Sequence, residues 1–208
     1  SQGYQVIGIT RKANYSKINF VKLGINQKFK IIPADLNNHE EIIKLIKDNE
    51  PAEIYNLSAQ SSVSLSFKKP IETYNSIINF TYNLLEICKK SSYQGRIFFA
   101  GSSEMFGSTE KAADINYSQN PISPYAISKQ TSFKLVKFYR ENFNLNCVTG
   151  ILFNHESNLR NSNFVTHKII EGAINAKNKK KEKLNLGNIN VQRDWGWAEE
   201  YVEAMQII

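Results

Sequence analysis

The chain has 208 residues, 41% of them hydrophobic and 22% charged, which places it in the ordinary globular range and excludes intrinsic disorder. Its 26 lysines and arginines against 19 aspartates and glutamates leave a formal charge of +7, an excess that suits an anionic ligand and equally nucleic acid or simple solubility. No apolar run approaches the roughly 18 residues of a membrane span, the first residues carry no signal-peptide pattern, and two cysteines without a CxxC exclude a disulfide scaffold, so a reducing cytoplasm is the expected compartment.

In chain order, Gln5 to Thr10 is a short apolar run closed by a basic turn at Arg11-Lys12, and Phe29 to Pro33 is a second run followed by Asp35-Leu36. Asn37 or Asn38 then offers an N-cap, with Glu40 and Glu41 in the first turn and Ile42, Ile43, Leu45 and Ile46 behind it, which predicts a helix. Glu53 to Leu57 is the next predicted strand. A long helical stretch follows, with Tyr74, Ile77, Ile78, Leu84, Leu85 and Cys88 at three- and four-residue spacing. Arg96 to Ala100 reads as a strand, Tyr125 to Asn142 as a helix, Asn146 to Leu152 as a strand and Ala198 to Ile208 as a final helical run. Strands alternating with helices of this length predict an α/β fold with a doubly wound parallel sheet of the Rossmann type.

A dinucleotide-binding sheet of that type opens with a strand, a glycine-rich turn and a helix. No GxGxxG or GxxGxxG occurs, and the first predicted strand reads as the second of such a sheet. The expectation is therefore a piece of a longer protein lacking both ends, first strand and glycine-rich loop included. The charge run Lys177 to Lys183 is read as a solvated loop, with an anion or nucleic-acid patch as the minority reading.

The segment Ser123-Pro-Tyr-Ala-Ile-Ser-Lys129 carries chemistry. Ser123 can cap a helix and Pro124 suits its first position, which sets Tyr125 and Lys129 four apart on one face. A lysine ammonium beside a phenol favours phenolate, lowering a tyrosine pKa from about 10 towards the working range, so the pair is a usable acid/base for a sugar hydroxyl. Alone, YxxxK recurs by chance in many helices. It gains weight from Ser102-Ser-Glu-Met-Phe-Gly107, directly after the strand ending at Ala100, because ligands of open α/β sheets bind outside the carboxyl ends of the strands. Ser102 and Glu104 lie there, with a turn residue and a solvated carboxylate as the bland alternatives. His39, His155 and His167 show no ligand spacing with Cys or carboxylates, so no metal site is expected. Tyr and Phe fall at core spacing, which disfavours a stacking platform for RNA.

Six segments in chain order resemble the extended short-chain dehydrogenase/reductases that act on nucleotide sugars, and among them the GDP-mannose 4,6-dehydratases. They are Ile54 to Ser61, Ser102 to Gly107, Ser123 to Lys129, Gly150-Ile-Leu-Phe-Asn-His-Glu-Ser157, Asn163-Phe-Val-Thr166, and Leu186-Gly-Asn188 through Arg193-Asp-Trp-Gly196. Leu152 to Ser157 and Arg193 to Gly196 are the specific ones.

The resemblance implies conversion of GDP-mannose to GDP-4-dehydro-6-deoxymannose and water, by C4 oxidation, elimination across C5 and C6, and C6 reduction with bound NADP. Tyr125 with Lys129 would remove the C4 hydroxyl proton, Glu104 the C5 proton, and Ser102, where the family usually has Thr, would hydrogen-bond the C4 oxygen. NADP is favoured over NAD by the basic Arg11-Lys12 turn, with Asp35 and Leu36 at the adenine, Leu57, Ser58, Ala59, Gln60 and Ser61 along the ribose and pyrophosphate, and His155 and Arg160 towards the nicotinamide half. Asn154, Lys168 and Arg193 are candidates for holding GDP, or structural polar residues. Departures from the family pattern are Lys12 and Ala13, Asn158-Leu159-Arg160-Asn161 in place of Pro-Arg-Arg-Gly, and His167 in place of Arg. The implied organisation is a truncated NADP-binding Rossmann domain over 1–160 and the start of a substrate-binding region over 161–208, with a homodimer or homotetramer as the assembly. Alternatives kept open are another nucleotide-sugar dehydratase or epimerase, a non-catalytic remnant of the fold, and a basic nucleic-acid binder.

Overall fold

The computed structural model describes residues 3–11, 17–25, 28–178 and 183–208. Lys12, Ala13 and most of the charge run near residue 180 lie outside the described residues. The chain divides into two compact units, Ser1–Ile151 and Leu152–Ile208.

In the first unit every strand pairing is parallel. Strand β1 (Val6–Thr10) runs beside β2 (Phe29–Pro33) in the register Val6 opposite Phe29 through Thr10 opposite Pro33. A second sheet has the order β3-β4-β5, formed by Glu53–Asn56, Arg96–Ala100 and Cys147–Gly150. Its central strand β4 buries Ile97, Phe98 and Phe99 in succession, the continuous apolar run of a parallel strand covered on both faces. A short helix α1 (Ile18–Lys22) follows β1. Helix α2 (His39–Asn49) starts where Asn38 accepts the Glu41 N–H, and Glu40 and Glu41 sit in its first turn as the helix dipole favours. It ends on Glu50 in the left-handed region, φ 40°.

After β3 come α3 (Val63–Lys68), capped by Ser62, and α4 (Pro70–Tyr74). The long helical stretch expected here is interrupted: Asn75–Asn79 forms a turn of π-helix before α5 (Phe80–Lys90). A π-turn shifts the facing of all that follows, which a three- and four-residue spacing tolerates without revealing it. Helix α6 (Pro124–Phe143) opens on Ser123, whose hydroxyl accepts the Ala126 N–H, with Pro124 at the first position. One core cluster joins Leu84, Leu85 and Cys88 of α5, Ile97 and Phe99 of β4, Val136 and Tyr139 of α6, and Cys147 of β5. A second joins Ala34 and Ile42 to Ile87, docking α2 on α5.

In the second unit β6 (Asn154–Glu156) pairs parallel with β7 (Trp195–Trp197), and helices α7 (Val165–Lys177) and α8 (Ala198–Ile207) accompany them. Strands of three residues are too short to show alternation, and Ile169, Ile170 and Ile174 of α7 are exposed, so periodicity predicted none of β6, β7 or α7. Among the described residues no helix is long and apolar enough to cross a membrane.

The architecture is the expected one: parallel strands with flanking helices, of the Rossmann type. The strands form three separate hydrogen-bonded groups, β1-β2, β3-β4-β5 and β6-β7. Leu85 is fully enclosed at the centre of the larger cluster. Leu85→Ala is expected to cost about 2–5 kcal/mol, read by chemical denaturation of the whole protein. Val21→Ala, at a side chain left 62% exposed, should stay within about 0.5 kcal/mol.

Candidate active site

The carboxyl end of β4 sets the site. The chain leaves Ala100 through Gly101, where an added Cβ would lie 2.8 Å from Thr149 Cγ2 and 2.9 Å from the Gly150 carbonyl, so only glycine fits between the strand ends. Ser102 follows, buried, and caps a 3₁₀ turn over Ser103–Phe106 by accepting the Glu104 N–H at 3.3 Å. Met105 and Phe106 are buried and pin that turn, leaving Glu104 half-exposed on it. Gly107 ends it at φ 68°, where a Cβ would collide with the Asn120 carbonyl. The turn therefore holds Ser102 and Glu104 in fixed places rather than on a free loop.

Helix α6 packs against this turn and brings Tyr125 and Lys129 to it, both buried. Lys129 Nζ lies 5.7 Å from the centre of the Tyr125 ring and donates to the Ala100 carbonyl at 2.7 Å. Burial pushes the lysine pKa down from 10.5 to about 8. Near neutral pH the ammonium thus persists beside the phenol, as a tyrosine base requires. Behind Lys129 lies a small cavity of about 10 Å³ reached by Asn56, Ser58, Ser132 and Thr149. Sequence reasoning gave these last two residues no role. A lone Thr in a strand reads as a good strand former, and Ser132 as one more polar helix residue.

The residues expected at the cofactor gather at the carboxyl ends of the other strands. Arg11, just past β1, is exposed and lies over the Phe80 ring at 5.3 Å. Asp35, past β2, accepts from the Asn37 N–H and side-chain amide at 3.0 and 2.9 Å, while Leu36 packs on the second core cluster. After β3, Leu57 is 60% exposed. Ser58 is tied to Asn56 Oδ1 at 2.7 Å, and Gln60 bonds both Ser62 and Thr73 Oγ1, so Ala59 and Ser61 sit in a braced loop. An exposed apolar side chain, a guanidinium laid over a ring and a braced loop therefore stand at successive strand ends, where ligands of open α/β sheets bind.

In the second unit, His155 on β6 stacks on Tyr201 with ring centres 4.8 Å apart, in the space Gly196 leaves. Its Nδ1 lies 2.9 Å from the Phe153 carbonyl, which can only accept, so the bond is an Nδ1–H donating to that oxygen. Arg160 pairs with Glu156 at 3.3 Å and lies 3.5 Å over the Phe164 ring. Asn154 is half-buried at the start of β6, and Lys168 and Arg193 are exposed cations. Among the described residues no cluster of His, Cys, Asp and Glu could hold a metal.

The sequence matches the family model for GDP-mannose 4,6 dehydratase over residues 1–208. It is 38% identical to GDP-mannose 4,6 dehydratase 2 of Arabidopsis thaliana and 35% identical to the human GDP-mannose 4,6 dehydratase, in each case over 100% of this chain and 58% of the relative. The chain thus spans a little over half the length of these relatives. Among solved structures, the UDP-glucuronic acid 4-epimerase of Bacillus cereus, with its sugar nucleotide and NAD, superposes with a TM-score of 0.83 at 22% identity, covering 99% of this chain and 65% of that one. RMD from Pseudomonas aeruginosa, complexed with NADPH, does so with a TM-score of 0.79 at 19% identity, over 97% and 72%. At those identities the structures share the fold. The match of the family model along the whole sequence, with relatives 35–38% identical across all of it, places this chain in the GDP-mannose 4,6-dehydratase family.

Proposed function

We propose that the protein acts as a GDP-mannose 4,6-dehydratase, converting GDP-α-D-mannose to GDP-4-dehydro-6-deoxy-D-mannose and water, with NADP as its resident cofactor and a homodimer or homotetramer as its working form. The observation that carries the reading is the Ser102–Glu104 turn set against the buried Tyr125–Lys129 pair at the end of β4. Residues 1–160 would serve the cofactor and 161–208 begin the region that receives the sugar nucleotide.

Arg11 and Lys12 would receive the 2′-phosphate, the reason for preferring NADP, while Asp35, Leu36 and the Leu57 to Ser61 loop would hold the adenosine and pyrophosphate, and His155 and Arg160 the nicotinamide half. Bound there, NADP would take a hydride from C4 and return it to C6, so no outside reductant is consumed. Tyr125, held towards phenolate by Lys129, would accept the C4 hydroxyl proton. Ser102 Oγ accepts the Glu104 N–H with a lone pair, which leaves its own proton to donate to the C4 oxygen. A C4 ketone acidifies C5, and Glu104 would take that proton and deliver it to the departing C6 hydroxyl. The proton taken from the C4 hydroxyl matches the one needed at C5 after reduction, so the net change is loss of one water. Asn154, Lys168 and Arg193 would hold the GDP; two exposed cations suit a diphosphate.

Incubation of the whole protein with a panel of nucleotide sugars, without added reductant, should give a product lighter by one water from GDP-mannose alone, by mass spectrometry. Equal turnover of dTDP-glucose would overturn the substrate assignment. The steps also separate. Tyr125→Phe should stop the reaction before any reduced cofactor is seen by its absorbance. Glu104→Gln should allow that first step yet lose product formation by about a hundredfold or more.

The buried lysine also has a measurable stability cost. Its pKa is 10.5 when exposed and about 8 when folded. Folding disfavours its charged form, so the penalty is full below the folded value, shrinks as pH rises between the two, and vanishes above the exposed value. A shift of that size corresponds to about 3 kcal/mol, partly offset by the bond to Ala100. Lys129→Met is expected to be inactive yet more stable than the parent by about 1–2 kcal/mol near neutral pH. Denaturation repeated across the pH range should show the gain fading as pH climbs past 8.

A further inference from the structure

The cavity behind Lys129 is lined in part by Thr149 and Ser132, to which the dehydratase reading gives no role. Thr149 Oγ1 is buried and has no hydrogen-bond partner, a condition that folded proteins rarely leave uncompensated. Its methyl group occupies the space beside Gly101, 2.8 Å from where a Cβ would stand. In the β4-β5 register Thr149 stands opposite Phe99, one step from the Ala100 carbonyl that receives Lys129. Lys129 lines the same cavity, and an ammonium has three protons where Ala100 accepts one. Two other polar wall groups are engaged: Asn56 Oδ1 accepts from Ser58, and Ser132 Oγ donates to the Ile77 carbonyl of the π-turn at 3.3 Å. The volume of about 10 Å³ is the size of a single water and of nothing larger.

We propose that this cavity is a binding site for one water molecule, held between Lys129 Nζ and Thr149 Oγ1, and that Thr149 is through it a positioning residue for the lysine. The water accepts from the ammonium and shares a proton with the threonine hydroxyl. Two of the three lysine protons are then fixed, one on Ala100 and one on the water, and the ammonium is held at a constant angle to the Tyr125 ring. The same water solvates a charge that is otherwise buried. Loss of the hydroxyl therefore drives the lysine further towards its neutral form, in the direction burial already takes it. Among the described residues, burial is what lowers the lysine pKa. Tyr125 on the same helix and Glu104 on the adjoining turn are the ionisable groups at the site. The carboxylates of α4 and α5, Glu72 and Glu86, are engaged by Lys69 and by Lys89 with Tyr139.

The proposal rests on the reading of Tyr125 and Lys129 as the acid/base pair only in its kinetic arm, so two measurements are made on the whole protein. A high-resolution crystal structure should show a water within hydrogen-bond reach of both Lys129 Nζ and Thr149 Oγ1, absent in Thr149→Val and present in Thr149→Ser. In pH profiles with GDP-mannose, the alkaline limb of kcat should move down by about one pH unit in Thr149→Val with little change in KM, and return in Thr149→Ser. A dry cavity in the parent protein, or a Thr149→Val variant whose alkaline limb matches the parent, overturns the proposal. The water found in a protein inert towards GDP-mannose supports the site and overturns the dehydratase reading instead.

Discussion

The hydrogen bond from Lys129 to the Ala100 carbonyl connects the two parts of the molecule that the site needs, the end of the central strand and the first turns of helix α6. It forms because Gly101 lets the chain turn away from β4 with no side chain in the gap between strand ends, which leaves the last carbonyl of the strand open to a donor from the helix. A lysine tip drawn there is withdrawn from water, and the depressed pKa follows from that placement. Ser123 and Pro124 set the start of α6, and with it which side chains face β4. A shift of one residue at that cap would turn Tyr125 and Lys129 away by about 100°.

The core explains why that alignment is stiff. Strand β4 is buried at Ile97, Phe98 and Phe99, α5 and α6 share one cluster across it, and Cys147 on β5 closes that cluster. Interiors packed to this degree do not yield by small amounts. Burial pushes the Cys88 and Cys147 thiols up to about 12 and 11, so both are neutral packing groups rather than nucleophiles at ordinary pH. The Glu53–Arg96 pair at the opposite end of β3 and β4 leaves the carboxyl ends to the chemistry.

What the sequence makes legible is what local chemistry determines. The Asn38 and Ser123 caps, the strand β4 and the 102–107 turn can each be read from a few adjacent residues, and the structure has them at or within a residue or two of the expected places. The π-turn at Asn75–Asn79 could not be read so, since the partner of its Ile77 carbonyl is Ser132 of α6, 55 residues away in the chain. Thr149 is silent for the same reason. Nothing near it in sequence distinguishes it from any β-branched strand residue, and its meaning comes from Gly101 and Lys129, which reach it only through the fold.

The departures from the family pattern show how a loop can change residues and keep its constraints. Leu159 and Asn158 stand where the family usually has Arg and Pro, removing a cation and a stiff backbone position. The remaining Arg160 is held from two sides, by the Glu156 carboxylate and by the Phe164 ring, so its guanidinium has a fixed orientation that a lone loop arginine would lack. His167, in place of an arginine, lies 3.4 Å from Glu171 one turn along α7. That contact is an ion pair only when the imidazole is protonated. Held between a carboxylate and a ring, Arg160 is the fixed point of a loop that has no proline to stiffen it.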